Sequence, residues 1–248
     1  MPKKKSKKAA AVQKPPHDVY HKSPYGETGR IIGIIIHGTQ SPNSEGPEDR
    51  HGVIRYIAAK GISVPVVTDD ESSTEAVPDG YMGNSHAACL DGECWGIEQI
   101  SYANWSKKEW LKHDKMIRST AQWTAWAMNN LMDLPVNERT LTKFVAGHDA
   151  DYKFGGCSDH WDPGPGFPWK LFRRYAIEAA NVMGYRVVAT KEDEERIKIF
   201  KADIKGAKGR HTRSERMQTW IKKKIGRGFR IIVKKKAYPA DFDGWARG

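Results

Sequence analysis

The ten residues His160–Trp169, HWDPGPGFPW, restrict the fold more than any other stretch of this chain. They comprise three prolines, two glycines, three aromatic residues, one His and one Asp. Because proline fixes φ and lacks a backbone donor, neither a helix interior nor a central strand accommodates this composition. The segment is predicted to be a stiff loop, and stiffness around Asp162 lowers the entropy cost of holding its carboxylate in place.

Upstream of this loop, patterns of buried strands and amphipathic helices alternate. The run GRIIGIIIHGTQ is short, apolar and β-branched, which is typical of a strand buried on both faces. The alternation predicts an α/β fold, a central mixed β-sheet flanked by α-helices. Strands are expected at 31–36, in SVPVVTDD, at the start of STEAVP, in WGIEQISYA and in LTKFVAGH; helices are expected from Pro47, over residues 106–132, and from WKLFRR to Gly184.

Charge divides the chain into three parts. Residues 1–24 carry seven Lys and one Asp, and residues 191–248 carry eighteen basic and eight acidic residues, whereas residues 25–190 are net acidic. We therefore expect a basic tail (1–24), a folded domain (25–190) and a basic C-terminal extension (191–248) that is a minor module or a partly ordered tail. Basic ends suggest an anionic partner such as nucleic acid, lipid headgroups or cell-wall polymer, although a solvated tail explains the N-terminus equally well.

Export signals and membrane spans are not evident in the sequence. No run reaches the ~18 apolar residues of a spanning helix, and the basic N-terminus lacks the apolar core of a secretory signal. We expect a protein that is soluble when made and reaches any other compartment by another route. In that setting free thiols are favoured over a disulfide between Cys89 and Cys94.

Three polar residues follow predicted strands or lie in the stiff loop. His37 ends the first strand, His148 ends the FVAGH strand, and Asp162 lies between Trp161 and Pro163. Two imidazoles and one carboxylate, with a fourth position left for water or substrate, make the ligand set of a catalytic zinc site. The spacing alone is a weak signal, since a single His at a strand end is more often hydrogen-bonded or at the surface.

Four segments in order, IIIHGTQ, WGIEQIS, FVAGHDAD and DPGPGFPW, resemble the zinc-dependent N-acetylmuramoyl-L-alanine amidase family, the amidase-2 and peptidoglycan recognition protein superfamily. The resemblance covers about residues 28–185, and DPGPGFPW is its most specific part. It implies cleavage of the amide between N-acetylmuramic acid and L-alanine in bacterial peptidoglycan, with Zn²⁺ as cofactor.

The resemblance also implies roles for individual residues. His37, His148 and Asp162 match the metal ligands, and Glu98 of GIE matches the catalytic acid. His160 stands where the family typically has Lys or Thr beside the reacting oxygen, so its protonation chemistry is left open. His86 resembles the substrate-lining WHAG segment, although Ser85 replaces its Trp, and Cys157 is a poor substitute for the third ligand.

Further residues were weighed against simpler explanations. Tyr102 and Trp105 are candidates for the substrate groove. His51 and His113 are expected to be solvated on helices. At least one of Trp123 and Trp126 is expected to pack in the core, and Asp149 and Asp151 to be either partners of an imidazole or surface carboxylates. If His160 acts as a protonated donor, activity falls as the pH rises above neutrality.

Three roles within the family compete, and one lies outside it. A phage endolysin, released to the cell wall from the host cytoplasm, fits the basic C-terminal extension, which could bind anionic wall polymers. A cytoplasmic muropeptide-recycling amidase and a non-catalytic peptidoglycan-binding protein are the alternatives, and family and size suggest a monomer. A nucleic-acid-binding protein would explain the basic ends and their interleaved aromatics but not the zinc ligands.

Overall fold

The computed structural model describes residues 14–21, 26–27, 30–42, 47–78, 81–83, 90, 92–156 and 160–225. In this part of the chain, strands precede and alternate with helices. The strands are β1 (Asp18–Val19), β2 (Gly26–Glu27), β3 (Gly33–Gly38), β4 (Val66–Thr68), β5 (Ser73–Glu75), β6 (Tyr81–Met82), β7 (Cys94–Gln99) and β8 (Val145–Gly147). The helices are α1 (Pro47–Ala59), α2 (Lys107–Trp110), α3 (Asp114–Asn130), α4 (Glu138–Phe144), α5 (Trp169–Val182) and α6 (Lys191–Ile225).

Six of these strands form one sheet in the order β1-β5-β4-β7-β3-β8. Strand β3 runs parallel to both of its neighbours, β7 and β8, and β4 runs parallel to β7. The sheet is mixed because β5 runs antiparallel to β4. Strands β2 and β6 form a separate antiparallel pair. The predicted fold class, a mixed sheet flanked by helices, is confirmed.

The core explains why the strands near the centre of the sheet are so apolar. Every residue of β3 is buried. Along β4 the side chains alternate, since Val66 joins the large cluster that includes α3 and α5 whereas Val67 packs with Ile54 of α1. A strand sends successive side chains to opposite faces, so helices on both faces require continuous apolar runs.

The prediction of one continuous helix over residues 106–132 is wrong. Ser106 caps α2 as expected, but a short 3-10 helix follows at Leu111–His113, and α3 begins only at Asp114. His113 has the non-helical angles φ −98° and ψ 41°. Its ring stacks on Trp105 and its Nδ1 pairs with Asp70, so tertiary contacts set the break.

The prediction of a strand in LTKFVAGH is also wrong for its first four residues. Residues 141–144 form the end of α4, and only Val145–Gly147 are extended. Asn137 and Thr140 exchange hydrogen bonds as a capping box at the start of α4, which fixes a helix in this segment. The strand then needs only three residues, because β8 pairs with β3 alone in the described sheet.

Beyond residue 190 the chain continues as α6. Its start is fixed by Thr190 and Asp193, whose side chains each accept a hydrogen bond from the other's backbone N–H. The apolar residues of its first turns lie in the large core cluster: Ile197, Phe200, Ile204 and Ala207. The strand-like piece FRIIVKKK lies outside the described residues, and the boundary drawn at residue 190 stays a prediction.

The chain divides into two compact units, Met1–His211 and Thr212–Gly248. The first contains the sheet and all residues considered below. Of the second, the structure describes helical residues 212–225. Among the described helices, none is both long and apolar enough to cross a lipid bilayer.

Candidate metal centre and active site

Three neighbouring strands deliver three of the predicted site residues to one edge of the sheet. His37 lies at the end of β3 and pairs in register with Glu98 on β7. On the other side of β3, Ile36 pairs with Gly147, so His148 comes directly beside His37. Because β3, β7 and β8 are parallel, their carboxyl ends coincide at this edge.

The predicted stiff loop brings Asp162 to the same place. The backbone N–H of Gly38 donates to Asp162 Oδ2 over 3.0 Å, and the N–H of Asp149 donates to the Asp162 carbonyl over 2.9 Å. The peptide bond between Asp162 and Pro163 is cis. The loop packs so closely on the segment after β7 that a Cβ added at Gly164 would lie 1.8 Å from the Ala103 carbonyl oxygen.

The three side chains His37, His148 and Asp162 form one buried cluster. The Nδ1 atoms of the two imidazoles are 3.1 Å apart. Asp162 Oδ2 lies 3.7 Å from His37 Nδ1, and Oδ1 lies 3.4 Å from His148 Nδ1.

These distances can be compared with what a tetrahedral ion requires. Metal–ligand bonds of about 2.0–2.1 Å place tetrahedral ligands about 3.3–3.4 Å apart. The two imidazole nitrogens are 3.1 Å apart, and each lies 3.4 or 3.7 Å from a different oxygen of the Asp162 carboxylate, which is close to that value. Two imidazole nitrogens and one carboxylate are also the donor types that zinc accepts, so the residues fit such an ion.

The carboxylates at this edge have opposite titration behaviour. Burial raises the pKa of Asp162, but hydrogen bonds from His148 and His160 and the nearby His37 outweigh burial and hold that pKa well below its usual range. Burial, helped by the charge of Asp162, raises the pKa of Glu98 well above its usual value. Two carboxyl groups with divergent pKa values at one edge are typical of acid–base sites.

His160 lies at the rim of the cluster. Its side chain is 64% exposed, and its Nδ1 is 3.6 Å from Asp162 Oδ1. Its ring centroid lies 4.5 Å from that of His148. His160 is therefore the solvent-exposed neighbour of the buried Asp162 and His148.

The proposed groove residues are less directly connected to the cluster. Tyr102 and Trp105 follow β7, with ring centroids 6.2 Å apart, and the Trp105 ring is stacked on His113 at 4.2 Å. His86, Cys89 and Cys157 lie outside the described residues, and Cys94 is buried in β7. Substrate contact by Tyr102, Trp105 and His86 stays a prediction.

The expectation that His51 and His113 are solvated is wrong. His51 Nε2 lies 2.7 Å from Asp18 Oδ2 and its ring stacks on Tyr20, and His113 is held by Asp70 and Trp105. Each histidine pairs with an aspartate from a distant segment, Asp18 or Asp70, and helical spacing alone does not predict such a contact.

The simpler explanations hold for Trp123, Trp126 and Asp149, whereas Asp151 is not the surface carboxylate that was one of its two expected roles. Trp123 and Trp126 are buried in the core as predicted. Asp149 is exposed, and its backbone N–H rather than its carboxylate supports Asp162. Asp151 is buried, and its backbone carbonyl accepts from Phe154 and Gly156.

The sequence analysis did not identify Gly38 as part of the site. Its N–H holds Asp162, and a Cβ at this position would lie 2.8 Å from Ser101 Oγ and 3.6 Å from the Asp162 Cβ. The available signal was the glycine directly after His37, since glycine within a strand pattern often marks a close approach of another segment.

The buried His–His–Asp cluster at the carboxyl edge of a mixed sheet could hold a metal ion with one ligand position left open, as catalytic metal sites of hydrolases do. The sequence profile of N-acetylmuramoyl-L-alanine amidases, amidase-2, matches residues 27–165, more than half of the chain. This chain belongs to the N-acetylmuramoyl-L-alanine amidase family and is an enzyme of that class. No curated protein sequence matches it significantly.

Several solved structures are similar to this chain at low sequence identity, and the first of them shares its fold. The hydrolase AmiA of Staphylococcus aureus, in complex with its ligand, is 18% identical, with a TM-score of 0.53 over 72% of this chain and 89% of its own. The endolysin LysCS of Clostridium intestinale is 14% identical, with a TM-score of 0.45 over 71% of this chain and 100% of its own. A mutant endolysin from Bacillus subtilis is 14% identical, with a TM-score of 0.42 over 65% and 99%.

Proposed function

We propose that this amidase is a zinc-dependent phage endolysin that cleaves the bond between the lactyl group of N-acetylmuramic acid and L-alanine during host lysis. The observation that carries the zinc dependence is the buried cluster of His37, His148 and Asp162, whose donor atoms all lie within 4.8 Å of one another. The two imidazoles would bind through Nδ1 and Asp162 through its carboxylate. When bound, zinc lowers the pKa of water to about 7 and polarises a carbonyl group.

Glu98 is the proposed proton carrier. It is the register partner of His37, and paired residues of adjacent strands point to the same face about 5 Å apart. Its raised pKa, caused by burial and by Asp162, makes the Glu98 carboxylate a stronger base than an ordinary glutamate, which suits it to take a proton from the attacking water. The proton then passes to the nitrogen of the leaving L-alanine.

His160 is the proposed donor to the scissile carbonyl oxygen. Its exposed ring is positioned beside Asp162 rather than enclosed by the core, so it can reach a bound substrate. A hydrogen bond from an imidazole nitrogen stabilises the oxygen as it gains negative charge. Replacement by Lys, the residue typical of the family, should then preserve much of the activity.

The endolysin role is supported by charge rather than by the site. Residues 191–248 carry eighteen basic and eight acidic residues, net +10, which suits binding to anionic wall polymers. The enzyme would act as a monomer and remain in the host cytoplasm until it is released to the wall. The basic extension would then hold it near peptidoglycan.

Digestion of purified peptidoglycan with and without a chelator tests this proposal. We expect chelator-sensitive release of N-terminal alanine without new reducing sugar ends, restored by added Zn²⁺. New reducing ends would indicate a glycosidase and overturn the reaction. Chelator-resistant release would overturn the metal dependence.

The substrate distinguishes the biological roles. An endolysin should cleave intact sacculi faster than small anhydro-muropeptides, whereas a recycling amidase should show the opposite order. Binding of muropeptide without any release would make the chain a recognition protein.

A further inference from the structure

Trp161 is exposed at the site although tryptophan is usually buried. Its side chain is 52% exposed, and it lies between His160 and Asp162 in the stiff loop. Among the tryptophans whose side chains the structure describes, the others are buried or partly buried: Trp95, Trp105, Trp110, Trp123, Trp126 and Trp169. A large apolar ring left in water beside a site indicates a contact surface.

The backbone under this ring is held firmly. The next residue, Asp162, is fixed by the N–H groups of Gly38 and Asp149, and Pro163 follows it. No ring in the described part of the chain stacks on Trp161. An indole with two side-chain torsions on a fixed backbone loses little conformational entropy when a ligand covers it.

We propose that Trp161 binds the glycan strand of peptidoglycan by packing its indole face against a pyranose ring. This inference rests on the proposed function. The scissile amide is attached through the lactyl group to a sugar, so sugar rings lie on one side of the reacting carbonyl. Trp161 lies between His160 and Asp162, two residues of the site whose side chains are 3.6 Å apart, so its backbone lies at the rim of the cluster.

The chemistry of the two halves of the substrate favours the glycan. One face of a pyranose ring presents C–H groups that pack on an aromatic face, and its hydroxyl groups can accept from the indole N–H. The peptide stem carries carboxylates, and an uncharged ring offers them no counter-charge.

Binding of the two separated products tests this assignment directly. Wild type, Trp161→Ala and Trp161→Phe are each titrated with peptide-free glycan strands and, separately, with free stem peptide. We expect Trp161→Ala to weaken glycan binding about tenfold, because truncating a central tryptophan contact typically costs at least that much. On a logarithmic scale, the loss in glycan affinity caused by Trp161→Phe should be less than half of the loss caused by Trp161→Ala. Stem-peptide affinity should change by less than twofold in either variant.

A matched control separates this effect from loss of any exposed aromatic. Tyr56 on α1 is 61% exposed, outside the site, and Tyr56→Ala should bind glycan strands as wild type does. Unchanged glycan binding by Trp161→Ala would overturn the proposal. An equal loss for glycan and peptide would overturn it as well, because Trp161 would then contact the peptide or support the loop.

The titrations need no turnover, so they remain informative if the proposed function fails. Absence of amide cleavage by wild type would refute the endolysin proposal alone. Normal cleavage with unchanged glycan binding by Trp161→Ala would refute the Trp161 proposal alone.

Discussion

Replacing Gly164 by Ala should damage the metal centre from outside its ligands. Gly164 has φ +85°, and a Cβ there would lie 1.8 Å from the Ala103 carbonyl oxygen and 2.8 Å from its carbon. Since real Cβ contacts essentially never fall below 3.0 Å, the loop must move by more than about 1 Å. Asp162 lies two residues earlier and moves with it.

Two energetic terms add in the free energy of unfolding. A positive φ costs an alanine about 1 kcal/mol relative to glycine. Overpacking against backbone adds roughly 1–3 kcal/mol. The sum of about 2–4 kcal/mol lowers Tm by roughly 4–16 °C in a domain of this size.

The effect on function should be larger than the effect on folding. Disturbing groups that position a metal ligand typically weakens metal binding by about 10–100-fold. We expect a loss of this size in zinc affinity, measured by competition with a chromophoric chelator. A displacement of about 1 Å should also lower kcat/KM about 100-fold at saturating zinc.

Gly184 provides the matched control. It has φ +70° after α5, and a Cβ there would meet nothing within 4 Å. Gly184→Ala should therefore lose about 1 kcal/mol of stability and keep wild-type zinc affinity. If Gly164→Ala binds zinc as tightly as Gly184→Ala, the close approach of the loop does not position Asp162 and the reasoning is refuted.

Three other predictions concern separate parts of the molecule. Glu98→Gln should lower kcat by about 10²–10⁴ while zinc affinity changes less than twofold; retention of kcat would remove its proton-transfer role. Asp193→Asn should lower the free energy of unfolding by about 1–3 kcal/mol. Burial raises the pKa of Asp193, but hydrogen bonds from Thr190 and the Arg186 guanidinium outweigh it and lower the pKa. The stabilisation is thus present above the unfolded-state pKa near 4 and disappears as the pH falls through the folded-state value, so urea titrations of wild type and variant should converge in acid. Truncation after His211 should weaken co-sedimentation with cell walls yet spare cleavage of a small muropeptide. Truncation after residue 190 should instead unfold the enzyme, because it removes the buried core residue Ile197.

Local patterns predicted much of the fold because their physical causes are local. The β-branched run before His37 could only be a buried strand, and the prolines around Asp162 excluded regular structure. Helices α1 and α5 and the end at Gly184 followed from proline, apolar spacing and glycine. The interrupted helix after Ser106 could not be predicted, because the partners of His113 are Trp105 and Asp70, and Asp70 is far away in the sequence.

The candidate site, like the fold, was predicted from the sequence only in part. The sequence by itself identified His37, His148 and Asp162 as candidate ligands, because the four ordered segments IIIHGTQ, WGIEQIS, FVAGHDAD and DPGPGFPW resemble one specific family. Only the tertiary structure decided that His37 and His148 lie 3.1 Å apart and that Gly38 holds Asp162. Strand order and register bring together the His37 and His148 side chains, 111 residues apart, and a non-local hydrogen bond joins the Gly38 backbone to the Asp162 carboxylate, 124 residues away. Burial among those partners, rather than residue type, raises the pKa of Glu98, whereas hydrogen bonds from His148 and His160 lower the pKa of Asp162.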